Sequence, residues 1–540
     1  MPVRASVIVA VYNPGPAIDV AVDSVREQTL GTDQVELILV DDGSTDGSGP
    51  RLQQLAEREP WVAYRRIENS GWPSRPRNLG TRLASGDYVL FMDQDDVLYP
   101  QALEHLCATG DRDCADIVVG KEVRTGGRTL GLDTFRGNRT GADLFADEVI
   151  NLATPHKLFR TAFLREHGIS FPEDLRRLED HHILAASYGC RPRVSVVADQ
   201  PCYRWIIHDT NNSVRVPDPL DYYGALDAVL DVVESWPLPD EAKRTARAFW
   251  LKSTVLDRFG PGGFRTWPED LQPRFFAEAL RITRERLEPE LDAGLPPAHR
   301  VRAALLRSGD MDGLLAYSEG EGAVTTRPVL ESADEEGGVL TLQVSTLLEG
   351  RGGPVRFRRE GGRLLQEPSA PLPREVAESA LEVRDHLERA RIDVILTERA
   401  TNAEWFVPTT ATHRLVPSGD ALAWTVEAQA EVDPSTALMG SPLTPGIWDV
   451  RLRVAALGYD SRPKVRVDGA ALPAPVAFDA MTARPYTTQG GRLAFRVQRV
   501  PAKAAAPAKP AKAATQLSLP ARAARRLARE LRALTPGDRG

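Results

Sequence analysis

Cysteine is scarce: Cys107, Cys114, Cys190 and Cys202 are all that 540 residues hold. None forms a C-x-x-C pair, and the nine histidines do not fall at zinc-finger spacing. A disulfide-stapled secreted scaffold and a cysteine–histidine zinc module are thereby excluded, and reduced thiols in a cytosolic compartment are expected. Long apolar runs are missing too, and no stretch approaches the ~18–20 residues of a membrane-spanning helix. The opening MPVRASVIVAVYNPG has one arginine and a short apolar run. That run lacks the length of a signal-peptide core and a small-residue cleavage site, so it reads as a buried strand. Nor is there an excess of positive charge. The net charge of −8 argues against a nucleic-acid partner. What remains is ordinary globular material, 42% hydrophobic and 26% charged, which excludes wholesale disorder. The length suggests about three or four domains.

The first part of the chain alternates strands and helices. Residues 5–11 (ASVIVAV) and 35–40 (VELILV) are short β-branched runs suited to strands buried on both faces. Residues 62–67 are a further strand candidate, and YVLFM (88–92) reads as the next strand. Helices are expected over 18–28, 46–58 and 77–85. The pattern implies an α/β fold, an open sheet with crossover helices, in which ligands bind beyond the carboxyl ends of the strands. Tyr12-Asn13, Asp41-Asp42 and Asp93-Gln94-Asp95 all fall at such ends. From about 220 to 315 the pattern turns helical, and from about 322 segments such as GVLTLQVSTLL and WDVRLRVAAL alternate like sandwich strands. A helical piece near 374–391 interrupts them. Residues 501–540 read as an Ala/Pro/Lys linker and a short basic helix; they carry net +7, which leaves −15 on the rest.

Three carboxylates in four positions, Asp93, Asp95 and Asp96, follow an apolar strand. Carboxylates packed that closely repel one another, and a cation turns the cost into a gain. Asp93 and Asp95, one residue apart at a strand exit, can divide the work between a ribose and a hard divalent ion that bridges two phosphates. The alternative is a solvated acidic turn before a helix. Asp42, before a glycine turn, can accept hydrogen bonds from a nucleobase or a ribose hydroxyl, or simply belong to a turn capped by Ser44 or Asp46.

The ordered set SVIVAVYN, LVDDGSTD, RNLG and GDYVLFMDQDD, within about ninety residues, resembles the nucleotide-sugar half of a family 2 glycosyltransferase. The resemblance implies a GT-A fold, with a single α/β sheet. It further implies that Tyr12 and Asp42 line a uridine site, that Arg77 lies near the base or diphosphate and Asp93 near the ribose, and that Asp95 binds Mn²⁺ or Mg²⁺. Such an ion would stabilise charge on the departing UDP. An inverting displacement also needs a base for the acceptor hydroxyl. The family's E-D pair corresponds to Glu179-Asp180, with Asp180 as base and Glu179 orienting the acceptor. Arg204, His208 and Ser213 could close over the diphosphate, His208 completing the metal shell. The segment around His156 and Lys157 looks like a lining for acceptor or donor sugar, and Arg75 with Lys157 could form a basic lip for an anionic acceptor.

The whole layout resembles enzymes that glycosylate wall teichoic acids or similar polyol-phosphate polymers. It implies a catalytic domain over 1–215, a helical linker domain over 216–320, and one or two immunoglobulin-like β-sandwich modules over 321–500. A homotrimer through those modules is an expectation. So is peripheral contact between the 501–540 helix and the inner face of a membrane. The expected activity is transfer of a hexose or N-acetylhexosamine from a UDP-sugar to a polymer hydroxyl. A capsule or exopolysaccharide transferase acting on a lipid-linked glycan is the alternative enzyme. A non-catalytic glycan-binding or scaffold protein is the alternative from another class.

Overall fold

The computed structural model describes residues 2–125, 131–207, 216–368, 370–373 and 376–500. Four strands, β1 (Ala5–Val11), β2 (Val35–Asp41), β3 (Val62–Arg66) and β4 (Tyr88–Asp93), run parallel in the order β3-β2-β1-β4. Helices α1 (Ala17–Arg26), α2 (Ser48–Arg58) and α3 (Ser74–Leu83) make the crossovers. The parallel arrangement aligns the carboxyl ends of β1, β2 and β4, so residues 12–13, 42 and 93–95 meet at one edge.

Beyond β4 the sheet stops being parallel. After β5 (Val97–Leu98) and α4 (Ala102–Asp113) comes the long β6 (Ile117–Thr125), then β7 (Arg139–Thr140) and β8 (Leu158–Arg160). Helices α5 (Thr161–Glu166) and α6 (Glu179–Gly189) precede β9 (Val194–Ile206). β8 is antiparallel to both β4 and β6, and β6 is parallel to β9. Strand alternation divides the core. Val7, Val9, Leu90 and Met92 pack on the α1 and α4 side, while Ile8, Val89 and Phe91 face the opposite core with Phe159, Phe171 and the α6 residues. α3 lies unusually close to β1, because a Cβ on Gly80 would come within 2.3 Å of Ile8 Cγ2. That approach carries Arg77, one turn earlier, to the edge of the sheet.

Helices α7 (Pro219–Glu234), α8 (Asp240–Trp250), α9 (Gln272–Arg286), α10 (Pro297–Ser308) and α11 (Met311–Glu321) continue the second core. At the start of α7, Pro219 sits in the first turn and the Asp218 carboxylate accepts from the Leu220 and Asp221 amides. An eight-stranded and a seven-stranded sheet follow, antiparallel apart from isolated bridges. They share one core, in which Leu340, Leu342 and Val344 belong with Val394, Trp448, Val450 and Leu452. The alternating segments therefore build a single sandwich. The helical piece expected near 374–391 is a short turn at Glu378–Leu381 and a five-residue helix at Arg384–Glu388, with 374 and 375 outside the described residues. Met1–Gln498 form one compact unit. Among the described residues no helix is long and apolar enough to cross a membrane. The basic helix expected within 501–540 falls outside the described residues.

Candidate active site

A cleft of ≈ 1840 Å³ opens at the carboxyl edge of the parallel strands and runs past the helical region to the sandwich. Tyr12, Asp42, Arg77, Asp93, Asp95, Glu179 and Asp180 all line it. The strand ends are tied together by hydrogen bonds. The Tyr12 amide donates to Gln94 Oε1 (2.8 Å), and Gln94 Nε2 donates back to the Tyr12 carbonyl (3.1 Å). This leaves the Tyr12 side chain 48% exposed, a flat face free to stack on a planar base. Asp42 is buried and accepts from the Ser70 amide (2.8 Å), the Ser70 hydroxyl (3.0 Å) and the Gly71 amide (3.2 Å). Gly43, at φ +78, permits this close turn, since a Cβ there would meet the Asn69 backbone at 3.0 Å.

Arg77 is the hub. Its side chain is only 4% exposed. Nη2 donates to Asp93 (2.7 Å), Nη1 donates to Asp180 (2.9 Å), and Glu179 lies 3.6 Å from Nη1. One guanidinium thus spans the exit of β4 and the first turn of α6. Burial works against its charge, but Asp180, Asp93 and Glu179 hold Arg77 above its usual range. Burial and the Asp180 charge push Glu179 up to about 7. Burial pushes Asp180 up as well, with Arg77 pulling the other way. A carboxylate raised above its usual range while remaining ionisable has the character of a general base.

Behind Asp93 sits His156, buried and stacked on Tyr203 with ring centroids 4.0 Å apart. Its Nε2 is 3.4 Å from Asp93 and its Nδ1 is 3.8 Å from Glu122. Burial opposes its protonation, yet the two flanking carboxylates push His156 up to about 10. Asp96 turns inward, where it accepts from Tyr203 Oη (2.6 Å) and the Ile206 amide (2.8 Å). Asp93, Asp96 and His156 bring three potential ligand atoms within 4.8 Å of one another, a group that could hold a metal ion.

Several sequence expectations fall elsewhere. Lys157 forms no basic lip: it is 0% exposed, and Nζ donates to the Leu152 (2.7 Å) and Thr154 (2.5 Å) carbonyls. His156 is not among the residues lining the cleft: it is buried against Tyr203 and beside Asp93. Arg75 is exposed on α3 but outside the cleft lining, because helical spacing points it away from Arg77. Arg204 also misses the cleft. It alternates on β9 with Trp205, which does line it, and neighbours Tyr99 instead. His208 and Ser213 lie outside the described residues.

The sequence reading passed over Arg124, whose guanidinium carbon lies 3.9 Å from the Trp205 ring centre in the cleft wall. Its signal was available: IVVGKEVRT carries three charges inside a β-branched strand. Trp72, with Arg177 5.5 Å from its ring, also lines the cleft. So do Lys252 and Arg258 from the helical region, and His181, which accepts from Trp250 Nε1 at 3.1 Å and is pushed down to about 4 by burial.

This geometry matches known proteins part by part. Residues 6–167 match the model of glycosyl transferase family 2, residues 219–318 that of the glycosyl transferase TarS linker domain, and residues 381–497 that of the TarS beta-glycosyltransferase C-terminal domain 1. The chain is 28% identical over 321 residues to a poly(ribitol-phosphate) beta-glucosyltransferase of Bacillus spizizenii, covering 59% of this chain and 50% of that one. The chain thus spans about half the length of that relative. It is 31% identical over 264 residues to the Staphylococcus aureus poly(ribitol-phosphate) beta-N-acetylglucosaminyltransferase TarP, covering 48% of this chain and 80% of that one. Among solved structures, S. aureus TarS superposes with a TM-score of 0.52 at 19% identity, over 92% of this chain and 85% of that one. TarS 1-349 in complex with UDP-GlcNAc gives 0.54 at 23%, over 68% and 98%. At these identities the structures establish likeness of fold. With the catalytic, linker and C-terminal regions matched in order and a relative 31% identical covered over 80% of its length, the chain belongs to the family 2 glycosyltransferases, in the group that carries a TarS-type linker and C-terminal domain.

Proposed function

We propose that the chain transfers a sugar from a UDP-sugar to a hydroxyl of a polyol-phosphate polymer, with inversion at the anomeric carbon. The observation that carries the reading is the Arg77 bridge, with Asp93 at 2.7 Å and Asp180 at 2.9 Å. It fixes the carboxylate expected to meet the nucleotide against the carboxylate expected to meet the acceptor. Tyr12 and Asp42 form the base and ribose end. Asp180 accepts the proton of the acceptor hydroxyl as that oxygen attacks the anomeric carbon, and Glu179, near half protonation at neutral pH, hydrogen-bonds a sugar or acceptor hydroxyl. One base and one displacement invert the centre.

Asp95, with Asp93 beside it, would hold Mn²⁺ or Mg²⁺. Their oxygen donors on the cleft wall suit a hard divalent ion, and Asp93 also belongs with Asp96 and His156 to a group whose ligand atoms lie within 4.8 Å of one another. When bound, the ion supplies positive charge to the leaving diphosphate. Arg177, Lys252 and Arg258 along the cleft suit an anionic acceptor, and the poly(ribitol-phosphate) transferases similar to this chain point the same way. The proposal includes work in the cytoplasm, where UDP-sugars are available and the four unpaired cysteines stay reduced. It also includes assembly of copies through the sandwich, to be read by light scattering.

The test is Asp180→Asn. Transfer of labelled sugar to purified poly(ribitol phosphate) should fall by about 10²–10⁴-fold, while the rise in melting temperature on adding UDP-sugar and Mn²⁺ persists. Normal turnover by the variant would remove Asp180 from the mechanism. Transfer to a lipid-linked glycan but not to the polymer would replace the acceptor.

A further inference from the structure

The cleft wall opposite α6 is built by the segment from Leu132 to Thr154, and that segment is anchored on the sandwich rather than on the catalytic sheet alone. Asp133 and Thr154 are both in the lining. Asp133 accepts two hydrogen bonds from Arg453, at 2.7 and 2.6 Å, in the parallel geometry that guanidinium and carboxylate favour. Arg391 reaches the same carboxylate at 3.0 Å and also pairs with Glu148. From the other direction, Arg136 donates to Asp393 at 2.8 and 2.7 Å and lies 4.1 Å from the Phe406 ring centre. Asp133, Arg136 and Glu148 belong to the catalytic region, whereas Arg391, Asp393 and Arg453 belong to the sandwich.

Inside the segment the anchor is passed on by hydrogen bonds. Thr134 Oγ1 donates to the Glu148 carbonyl (2.9 Å), and the Ile150, Asn151 and Leu152 amides close the turn that follows. Leu152 packs so tightly on Gly131 that a Cβ there would come within 2.3 Å of it. Thr154 then donates its hydroxyl to the buried Glu122 of β6. The segment is thus held by the sandwich at Asp133 and Glu148 and by β6 at Thr154.

We infer that Arg391 and Arg453 are positioning residues, and that the sandwich, by holding Asp133 and Glu148, sets the acceptor-side wall of the cleft. This rests on the cleft being a sugar-transfer site, but the anchoring itself can be read without turnover. Misplacing a wall next to the chemistry weakens the productive acceptor pose and spares the nucleotide end, which is built from β1, β2 and β4.

The experiment uses the full chain with Arg453→Gln, Arg453→Lys and Asp133→Asn, each checked for folding by its melting transition. Amide hydrogen exchange at residues 150–152 should quicken in Arg453→Gln and Asp133→Asn and return towards the original rate in Arg453→Lys. The KM for purified poly(ribitol phosphate) should rise about tenfold or more in Arg453→Gln, with the UDP dissociation constant unchanged within about twofold. Unaltered exchange at 150–152 in a folded Arg453→Gln overturns the anchoring. Quickened exchange with an unaltered polymer KM overturns the role in acceptor placement. If the unsubstituted protein transfers no sugar at all, the functional reading fails, and the exchange rates still decide whether the sandwich holds the wall.

Discussion

Arg77 and Arg302 are buried alike, each side chain 4% exposed, yet their surroundings differ in kind. Arg302, in the helical region, meets one carboxylate squarely: Nε and Nη2 donate to the two oxygens of Glu321 at 2.8 and 2.9 Å. Burial pushes Glu321 up to about 7 against that attraction, but two short parallel hydrogen bonds are the geometry of an ionised pair. Arg77 is divided among Asp93, Asp180 and Glu179, and its Nε has no hydrogen-bond partner. One pair is matched oxygen for nitrogen, with Asp257 3.7 Å away as a lesser neighbour. The other sets three carboxylates against one guanidinium and the His156 ring beside Asp93, in a cleft open to a ligand. A fold tolerates such a surplus where a ligand later balances it, so the surplus marks the site and the matched pair marks the scaffold.

The largest effect expected is from Arg77→Met. It leaves three carboxylates facing one another, so UDP-sugar binding and transfer should both disappear, and the melting transition should fall with them. Adding Asp180→Asn should recover only part of the stability, because Asp93 and Glu179 remain. Arg302→Met should cost about 3–5 kcal/mol by stranding Glu321, and Arg302→Met with Glu321→Met should recover most of it. Denaturant titration of the four variants checks this. Equal recovery in both doubles would erase the distinction between site and scaffold. Glu179→Gln sharpens it further. Folding raises this carboxyl to about 7, so at pH 8 its charge costs stability, and the neutral amide should raise stability by about 1 kcal/mol while lowering transfer.

The legible part of the molecule was the part governed by local periodicity and strand ends. β1, β2 and β4 announce themselves as β-branched runs, and parallel pairing then forces Tyr12, Asp42, Asp93 and Asp95 together. Glu179 and Asp180 were legible as a pair, but not the Arg77 bridge to them, since a contact across 103 positions leaves no trace in spacing. The misplaced residues share a cause. His156 and Lys157 are polar types that the fold buries among compensating partners, and a sequence shows the polar type without the compensation. Arg204 and Arg124 are exchanged by register: β6 pairs Arg124 with Trp205, and Arg204 takes the opposite face. The number of sandwich modules was equally hidden, because which sheets share a core depends on packing between distant segments, as Leu340 and Leu342 of one sheet share a core with Trp448 and Val450 of the other.

The smallest effect expected lies beside Arg302 and tests whether the scaffold cluster carries its own pH response. His299 is buried on α10, with Nε2 2.7 Å from Asp257 Oδ1, and Arg302 lies 3.7 Å from the same oxygen. The ring also meets Gly458 of the sandwich, where a Cβ would come within 2.9 Å of Nδ1. Burial, only partly offset by Asp257, pushes His299 down to about 4. The unfolded chain takes up this proton near pH 6.5 and the native chain only near pH 4, so the unfolded state binds more protons in that window. Stability from this group is complete above pH 6.5 and declines as pH falls towards 4, by about 3 kcal/mol at most. His299→Gln should remove up to one proton from the slope of unfolding free energy against pH between 6.5 and 4, and leave the slope above pH 7 unchanged. An unchanged slope in the acid window would mean that His299 is protonated in the native state. The Asp257 contact would then be an ion pair, and this cluster would no longer be the matched counterpart of the Arg77 site.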